Sequence, residues 1–306
     1  MKLMIFCMMM ILIGLNDSSG ETIFRENGTI FLKVYGGLAT ASSYFDVDEN
    51  KIISLKDESY KFDTLHCVND YTLELTKKII DFSCEYSLSN ELIVYGKLPI
   101  SFNSLDEVYQ YDYCAHTKYE KAKYSLTHVE YLGIGAKYEL FNRKSYGFLV
   151  LEGRIPPGFK NGVTDTSENV FLSDGAFELR TGLGFGLNSE KFILESYLGY
   201  NYRDEEFADE LVIKTEAGIK TVQDTKLSVT GEYVTSIKSY KNAIPLIINR
   251  PVIQEDYLSI GFEFGILFSS TFYFDFSYNL RLYGKNSWIL GTFNVGAGYL
   301  INSHEE

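Results

Sequence analysis

Along most of the chain apolar residues recur at every second position, which is the period of a β-strand and not the three-to-four spacing of a helix. The pattern is clearest over 271–283, where Phe272, Phe274, Phe276, Tyr278, Leu280 and Leu282 make one row and Tyr273, Asp275, Ser277, Asn279 and Arg281 the other. The preceding segment repeats it. Leu258, Ile260, Phe262, Phe264, Ile266 and Phe268 alternate with Ser259, Gly261, Glu263 and Gly265, and Ser269-Ser270 turns one segment into the next. Wound as a helix, 257–274 would scatter Glu263 and its glycines around an apolar cylinder with no polar face. The same alternation predicts twelve strands, at 29–42, 60–86, 91–102, 121–140, 146–156, 174–186, 191–203, 210–222, 225–238, 254–268, 271–283 and 287–301.

The predicted connections alternate in length. Short links at Ser87 to Asn90, Phe141 to Ser145, Leu187 to Glu190, Gln223 to Asp224 and Ser269 to Ser270 take turns with longer ones at 43–59, 103–120, 157–173, 204–209 and 239–253. The link Gly284 to Asn286 is short where a long one is due. Tight turns on one side and long loops on the other are the asymmetry of an outer-membrane barrel. Most spans are longer than the roughly 5 or 6 residues of an ordinary strand and cover the roughly 9–11 needed to cross a bilayer at a tilt. The expectation is therefore all-β: a transmembrane antiparallel β-barrel of about twelve strands, with short periplasmic turns and longer external loops. Ten strands, or a soluble two-sheet sandwich, remain as alternatives, because alternation alone does not say which row meets which solvent.

Composition agrees with this class. The 24 Tyr, 22 Phe and 25 Gly stand against 5 Pro and a single Trp. A net charge of −13 argues against a nucleic-acid partner. Lys2, the apolar run Met4 to Leu15, and Asn16 to Gly20 read as an export signal too short to span a bilayer, with cleavage after Gly20. That leaves one domain, 21–306, and about 8 residues before the first strand, too few for a hatch domain inside the bore. Cys67, Cys84 and Cys114 remain after cleavage, so one bridge at most is available, between Cys67 and Cys114. The alternative is three free thiols. No metal-ligand spacing and no cofactor fingerprint occurs; His66, His116, His128 and His304 are scattered.

If the apolar rows face lipid, the opposite rows line an enclosed space. The candidate lining residues are Lys97, Lys137, Glu152, Arg154, Glu178, Arg180, Glu195, Glu216, Glu263, Asp275 and Arg281. Asp81, Glu85, Glu139 and Glu232 also fall on these rows, with Lys33, Arg203, Lys214 and Lys220. Both signs occur in near balance, where an anion or cation pore would carry a ladder of one sign. Such charges must be paired or hydrated, with Glu152 and Arg154, and Glu178 and Arg180, as same-row pairs. Two functions follow as expectations: passage of a small solute, or a structural or surface-interaction barrel whose lumen is closed by salt bridges. The excess acid sits at Asp46, Asp48 and Glu49 and at Asp204, Glu205, Glu206, Asp209 and Glu210, where it is expected to solvate loops. The stretch Ala243 to Ile248 and Pro251 to Ile253 is unusually apolar for a loop and is expected either to pack on a neighbouring loop or to shape a mouth for an apolar solute.

Two sets of residues carry a resemblance. In the last strand, Asn294, Gly296, Tyr299 and Ile301 are similar to the terminal signal that the barrel-assembly machinery reads in outer-membrane proteins, without the usual terminal Phe. Tyr86 to Leu92 with Lys97-Leu98-Pro99, Ile134 to Tyr138, and Gly199 to Arg203 with Asp209-Glu210-Leu211 resemble segments of outer-membrane proteins of the phenol meta-degradation pathway type, across 86–235. These are similar in outline to hydrophobic-solute channels. The resemblance implies outer-membrane lipid and a small apolar or aromatic solute as partners, though fold likeness does not by itself assign function. A hydrolase reading finds no His-x-Ser pair and no candidate catalytic residue.

Overall fold

The computed structural model describes residues 27–41, 43–45, 52–54, 67–113, 116–157, 176–189, 191–204, 207–221, 225–237, 256–269, 271–285 and 287–301. The segment 1–20, Cys114, the acids at 46–49 and the apolar stretch 243–253 lie outside these residues, as does the side chain of Cys67. The described elements are all strands. They are β1 (Ile30–Ala41), β2 (Ser43–Phe45), β3 (Ile52–Ser54), β4 (Cys67–Ser87), β5 (Leu92–Tyr113) and β6 (His116–Val129). Next come β7 (Leu132–Asn142), β8 (Ser145–Ile155), β9 (Glu178–Asn188), β10 (Phe192–Arg203) and β11 (Glu210–Thr221). The chain finishes with β12 (Thr225–Ser236), β13 (Asp256–Leu267), β14 (Phe272–Lys285), β15 (Ser287–Trp288) and β16 (Gly291–Ile301).

One antiparallel sheet runs β4-β1-β16-β14-β13-β12-β11-β10-β9-β8-β7-β5, and the β4–β5 pairing joins its ends into a closed barrel. Closure leaves no strand edge in the wall, which hydrocarbon requires because it supplies no partner for a backbone N–H or C=O. Strand β6 is the thirteenth in that sheet, but it runs in the same direction as β7 and pairs with the same neighbour. The register on β5 steps from Lys97↔Gly133 to Ile100↔Val129, so one extra residue is accommodated around Glu130 and Tyr131. This is a bulge. Pro99, which has no N–H to donate, sits at the step and accepts a hydrogen bond from the Glu130 amide at 2.9 Å. The barrel is thus twelve-stranded, with one of its strands bent at that point.

Three departures from the sequence reading concern the outer end. The stretch 103–120, read as a loop, belongs largely to β5 and β6, which pair from Ile100↔Val129 out to Tyr113↔His116. Beyond Phe102 no continuous apolar row marks one face, so the lipid-facing signature stops while strand pairing continues. With β4, paired to β1 only as far as Leu75, these strands form a ribbon that rises past the barrel rim by about ten residues, roughly 30 Å. The loop at 43–59 contains β2 and β3, and β2 pairs with both β3 and β15 to make a second small sheet at the rim. The predicted last strand, 287–301, is divided at Ile289 and Leu290 into β15 and β16.

The apolar rows point outward. Ile134, Leu183 and Phe262 are more than half exposed, and Leu32, Val34, Phe82, Leu151, Leu198 and Leu227 are also on the outside. Near the short turns this belt carries Tyr86, Phe141, Phe192, Phe268, Phe272 and Tyr299, all exposed, and near the opposite end Phe102, Tyr200 and Tyr202. Aromatic girdles flanking an apolar band are the mark of a barrel spanning a bilayer. Cys84 lies on this outer face as a free thiol. Leu183→Arg, at the middle of β9, is expected to destabilise the barrel by about 2–4 kcal/mol, and Leu187→Arg near the turn by no more than about 1 kcal/mol. Urea unfolding in lipid vesicles measures both; equal costs would place these rows away from hydrocarbon.

Candidate functional site

The inner rows carry the candidate lining residues, organised into two groups by depth. The first group lies toward the ribbon end on β5 and β8–β11. Arg154 Nε lies 2.5 Å from Glu152 Oε1, and Lys97 Nζ lies 3.5 Å from Glu152 Oε2. Glu178 is approached by Arg180 Nη2 at 3.0 Å, Arg203 Nε at 3.6 Å and Arg154 Nη1 at 3.7 Å. Arg203 Nη1 continues to Glu210 at 2.8 Å, and Asn201 Nδ2 donates to the same carboxylate at 2.9 Å. The two same-row pairs are therefore present, and they are parts of one chain of ion pairs crossing β5, β8, β9, β10 and β11. Interstrand links such as Arg203 to Glu178 join residues far apart in sequence, so spacing could not show them.

Asp209 and Glu210 are not free loop charges. The Tyr200 hydroxyl donates to Asp209 at 2.8 Å, and the Arg203 amide at 3.3 Å. Their sequence neighbourhood looks like a solvated acidic loop, but the chain turns there directly into the inner row of β11.

The second group lies toward the short-turn end on β1 and β11–β14. Lys33 Nζ is 2.7 Å from Asp275 Oδ2, and Lys226 Nζ is 2.6 Å from Glu216 and 3.1 Å from Glu263. These five residues are only 0–4% exposed. Charges so enclosed are tolerated because each has an opposite partner at contact distance; an unpaired one would cost several kcal/mol. Together they make an ionic floor on one side of the bore.

The opposite wall at this depth is aromatic. Tyr146 and Phe148 stack at 6.2 Å between centroids, with Phe148 2% exposed, and the Tyr146 hydroxyl donates to Glu195 at 2.5 Å. Tyr95 donates to Glu152 at 2.9 Å and has the Lys97 and Lys137 ammonium groups 5.2 and 5.7 Å from its ring centre. These rings lie on glycines. A Cβ at Gly135 would meet Tyr95, at Gly182 Tyr197, at Gly184 Phe148 and at Gly186 Tyr146. The run Gly182-Leu183-Gly184-Phe185-Gly186 thus presents a bare inner face that the neighbouring rings cover, while Leu183 and Phe185 face outward. Glycine at every second position is the sequence signal for rings seated across it.

Among the described residues the bore holds a cleft and a chamber. A narrow cleft of about 50 Å³ lies against Tyr95, Phe148, Val150, Tyr197 and Val212. A larger chamber of about 280 Å³ lies across from it, against β1, β4, β12, β13, β14 and β16, and includes Arg281. Lys214 lines the first and Glu232 the second, and their 3.4 Å ion pair stands between them.

No family model matches the sequence, and no curated protein matches it by sequence. Among solved structures, an outer membrane channel from Pseudomonas putida F1 superposes with a TM-score of 0.63 at 12% identity, covering 92% of this chain and 98% of that one. The chain has the fold of an outer-membrane barrel. The toluene transporters TodX of Pseudomonas putida and TbuX of Ralstonia pickettii align at TM-scores of 0.44 and 0.43, with 9% and 8% identity. They cover 94% and 92% of this chain and 94% and 90% of their own. Likeness of that size describes a general barrel shape and assigns no solute.

Lys33→Met leaves Asp275 buried without its ammonium partner and is expected to cost about 3–5 kcal/mol, whereas Lys33→Met with Asp275→Leu should recover most of the loss. Urea unfolding of the three proteins reads the difference; a single substitution as mild as the double would remove the pair from the forces holding the floor.

Proposed function

We propose that the protein is an outer-membrane channel that passes a small solute. The observation that carries this reading is the division of each strand into an outward apolar row and an inward row enclosing open space beside paired charges. Residues of both signs around that space avoid the strong selection between anions and cations that a one-sign ladder imposes. The aromatic lining of the cleft, with Tyr95, Phe148 and Tyr197, supports contact with an apolar or aromatic solute there. In this reading residues 1–20 direct export and are removed, and Asn294, Gly296, Tyr299 and Ile301 on the closing strand are read by the barrel-assembly machinery. Tyr299 and Ile301 are on the outer face of β16, in keeping with such a contact.

A second reading is favoured by one observation. The near-complete burial of Lys33, Glu216, Lys226, Glu263 and Asp275 fits a lumen closed by salt bridges. Planar-bilayer recording separates the two. The channel reading expects stable conductance steps, with Arg180→Ala and Glu178→Ala shifting ion selectivity in opposite directions. A folded protein that stays silent, with loops that still engage partners, would establish the sealed barrel instead.

A further inference from the structure

The chamber and the cleft differ in chemistry, and the difference points to a second class of solute. Of the described side chains around the chamber, only Ile79 and Leu290 are aliphatic. Its walls carry planar groups with paired hydrogen-bonding atoms: Asp81, Glu232, Asn279, Asn294 and Arg281. Groups of this kind present donors and acceptors to hydroxyls, which a hydrocarbon cannot answer. Two rings, Tyr35 and Tyr257, also line it, each with a cation over one face: the Lys33 ammonium is 4.3 Å from the Tyr35 ring centre and the Arg281 guanidinium carbon 3.9 Å from that of Tyr257.

The amides are set in place by the wall. A Cβ at Gly37 would stand 2.7 Å from Asn294 Oδ1, and a Cβ at Gly261 would collide with Asn279, so each amide lies over a glycine of another strand. Asn294 Nδ2 donates to Ser277 Oγ at 3.1 Å, and the Thr230 hydroxyl donates to Asn279 Oδ1 at 3.3 Å. Polar groups fixed by packing and by neighbouring hydrogen bonds are what a binding site requires, because little ordering is left for the ligand to impose. The formal charges nearly cancel: two carboxylates, one guanidinium, and Lys214 on Glu232. The chamber therefore has no strong preference for an ion of either sign. At about 280 Å³ it is near the lower bound of roughly 300 Å³ for small-molecule pockets. Toward the short-turn end it abuts the ionic floor, since Lys33 is two residues before Tyr35 and Asp275 two before Ser277 on their inner rows.

We infer that this chamber binds a neutral polyhydroxylated solute the size of a monosaccharide. The inference rests on the channel reading for how the solute arrives, and its test separates the two. Calorimetric titration of the folded, detergent-solubilised protein uses D-glucose and D-sorbitol, with toluene as the apolar comparison. Saturable heat is expected from both polyols. Asn294→Leu and Asn279→Leu are each expected to weaken that binding about tenfold, as loss of one well-placed hydrogen-bonding group does. Gly37→Ala leaves the chamber's own side chains intact but displaces Asn294, and should weaken polyol binding similarly. Phe262→Leu, on the lipid face, should leave it unchanged. A shift in apparent mass between unheated and heated gel samples shows which variants are folded, and the wild-type comparison of polyols with toluene stands even if a variant fails. Conductance steps with no polyol binding, or polyol binding indifferent to both Asn294→Leu and Gly37→Ala, would overturn the site and leave the channel. Saturable polyol binding in a barrel that never conducts would overturn the channel and leave the site.

Discussion

Everything in this molecule depends on backbone hydrogen bonds made between strands and closed into a ring. In hydrocarbon an unpaired amide or carbonyl finds no substitute for water, so the sheet must meet itself, as it does where β4 joins β5. Closure then gives the two faces of each strand different surroundings. One row faces lipid and can be wholly apolar; the other faces an interior of limited width, where every charge must find a partner or water. The alternation seen in β13 and β14 is the chemical record of that division.

The interior solves two packing problems by different means. Around β8, β9 and β10 the wall omits side chains, and rings from neighbouring strands lie in the space so made: Phe148 over Gly184, Tyr146 over Gly186 and Tyr197 over Gly182. From β11 round to β1, small positions receive polar side chains instead, as Gly296 receives Asp275 and Gly37 receives Asn294. In both cases a glycine in a strand is useful because a side chain elsewhere needs its place. One wall of the bore becomes aromatic and the other polar, with ion pairs linking strands at both depths.

The bend at Pro99 and Glu130 joins the membrane part to the part beyond it. Glu130 accepts a hydrogen bond from Ser101 Oγ at 2.6 Å and is ion-paired with Lys77, so β4, β5 and the bulge are tied together where the register steps. Beyond this point β5 keeps a partner on each side, while no apolar band is required of it. The ribbon is a continuation of the barrel's hydrogen bonding.

The order of strands, their outward rows and the inward placement of Glu152, Arg154, Glu178 and Arg180 were legible in the sequence because they follow from a period of two, and a period is a local property. The extension of β5 through Tyr113 was not legible, since beyond Phe102 the sequence carries no continuous apolar row to read. Nor were the partners of the buried charges. Asp209 looks like a loop acid until β10 brings Tyr200 and Arg203 beside it, and Lys33 lies more than two hundred residues from Asp275. The sequence by itself determined which side chains share a row, because each strand alternates independently of its neighbours. Register between strands, which depends on the whole ring closing at once, decided which inward groups meet, where glycines make room, and what chemistry surrounds the space that is left.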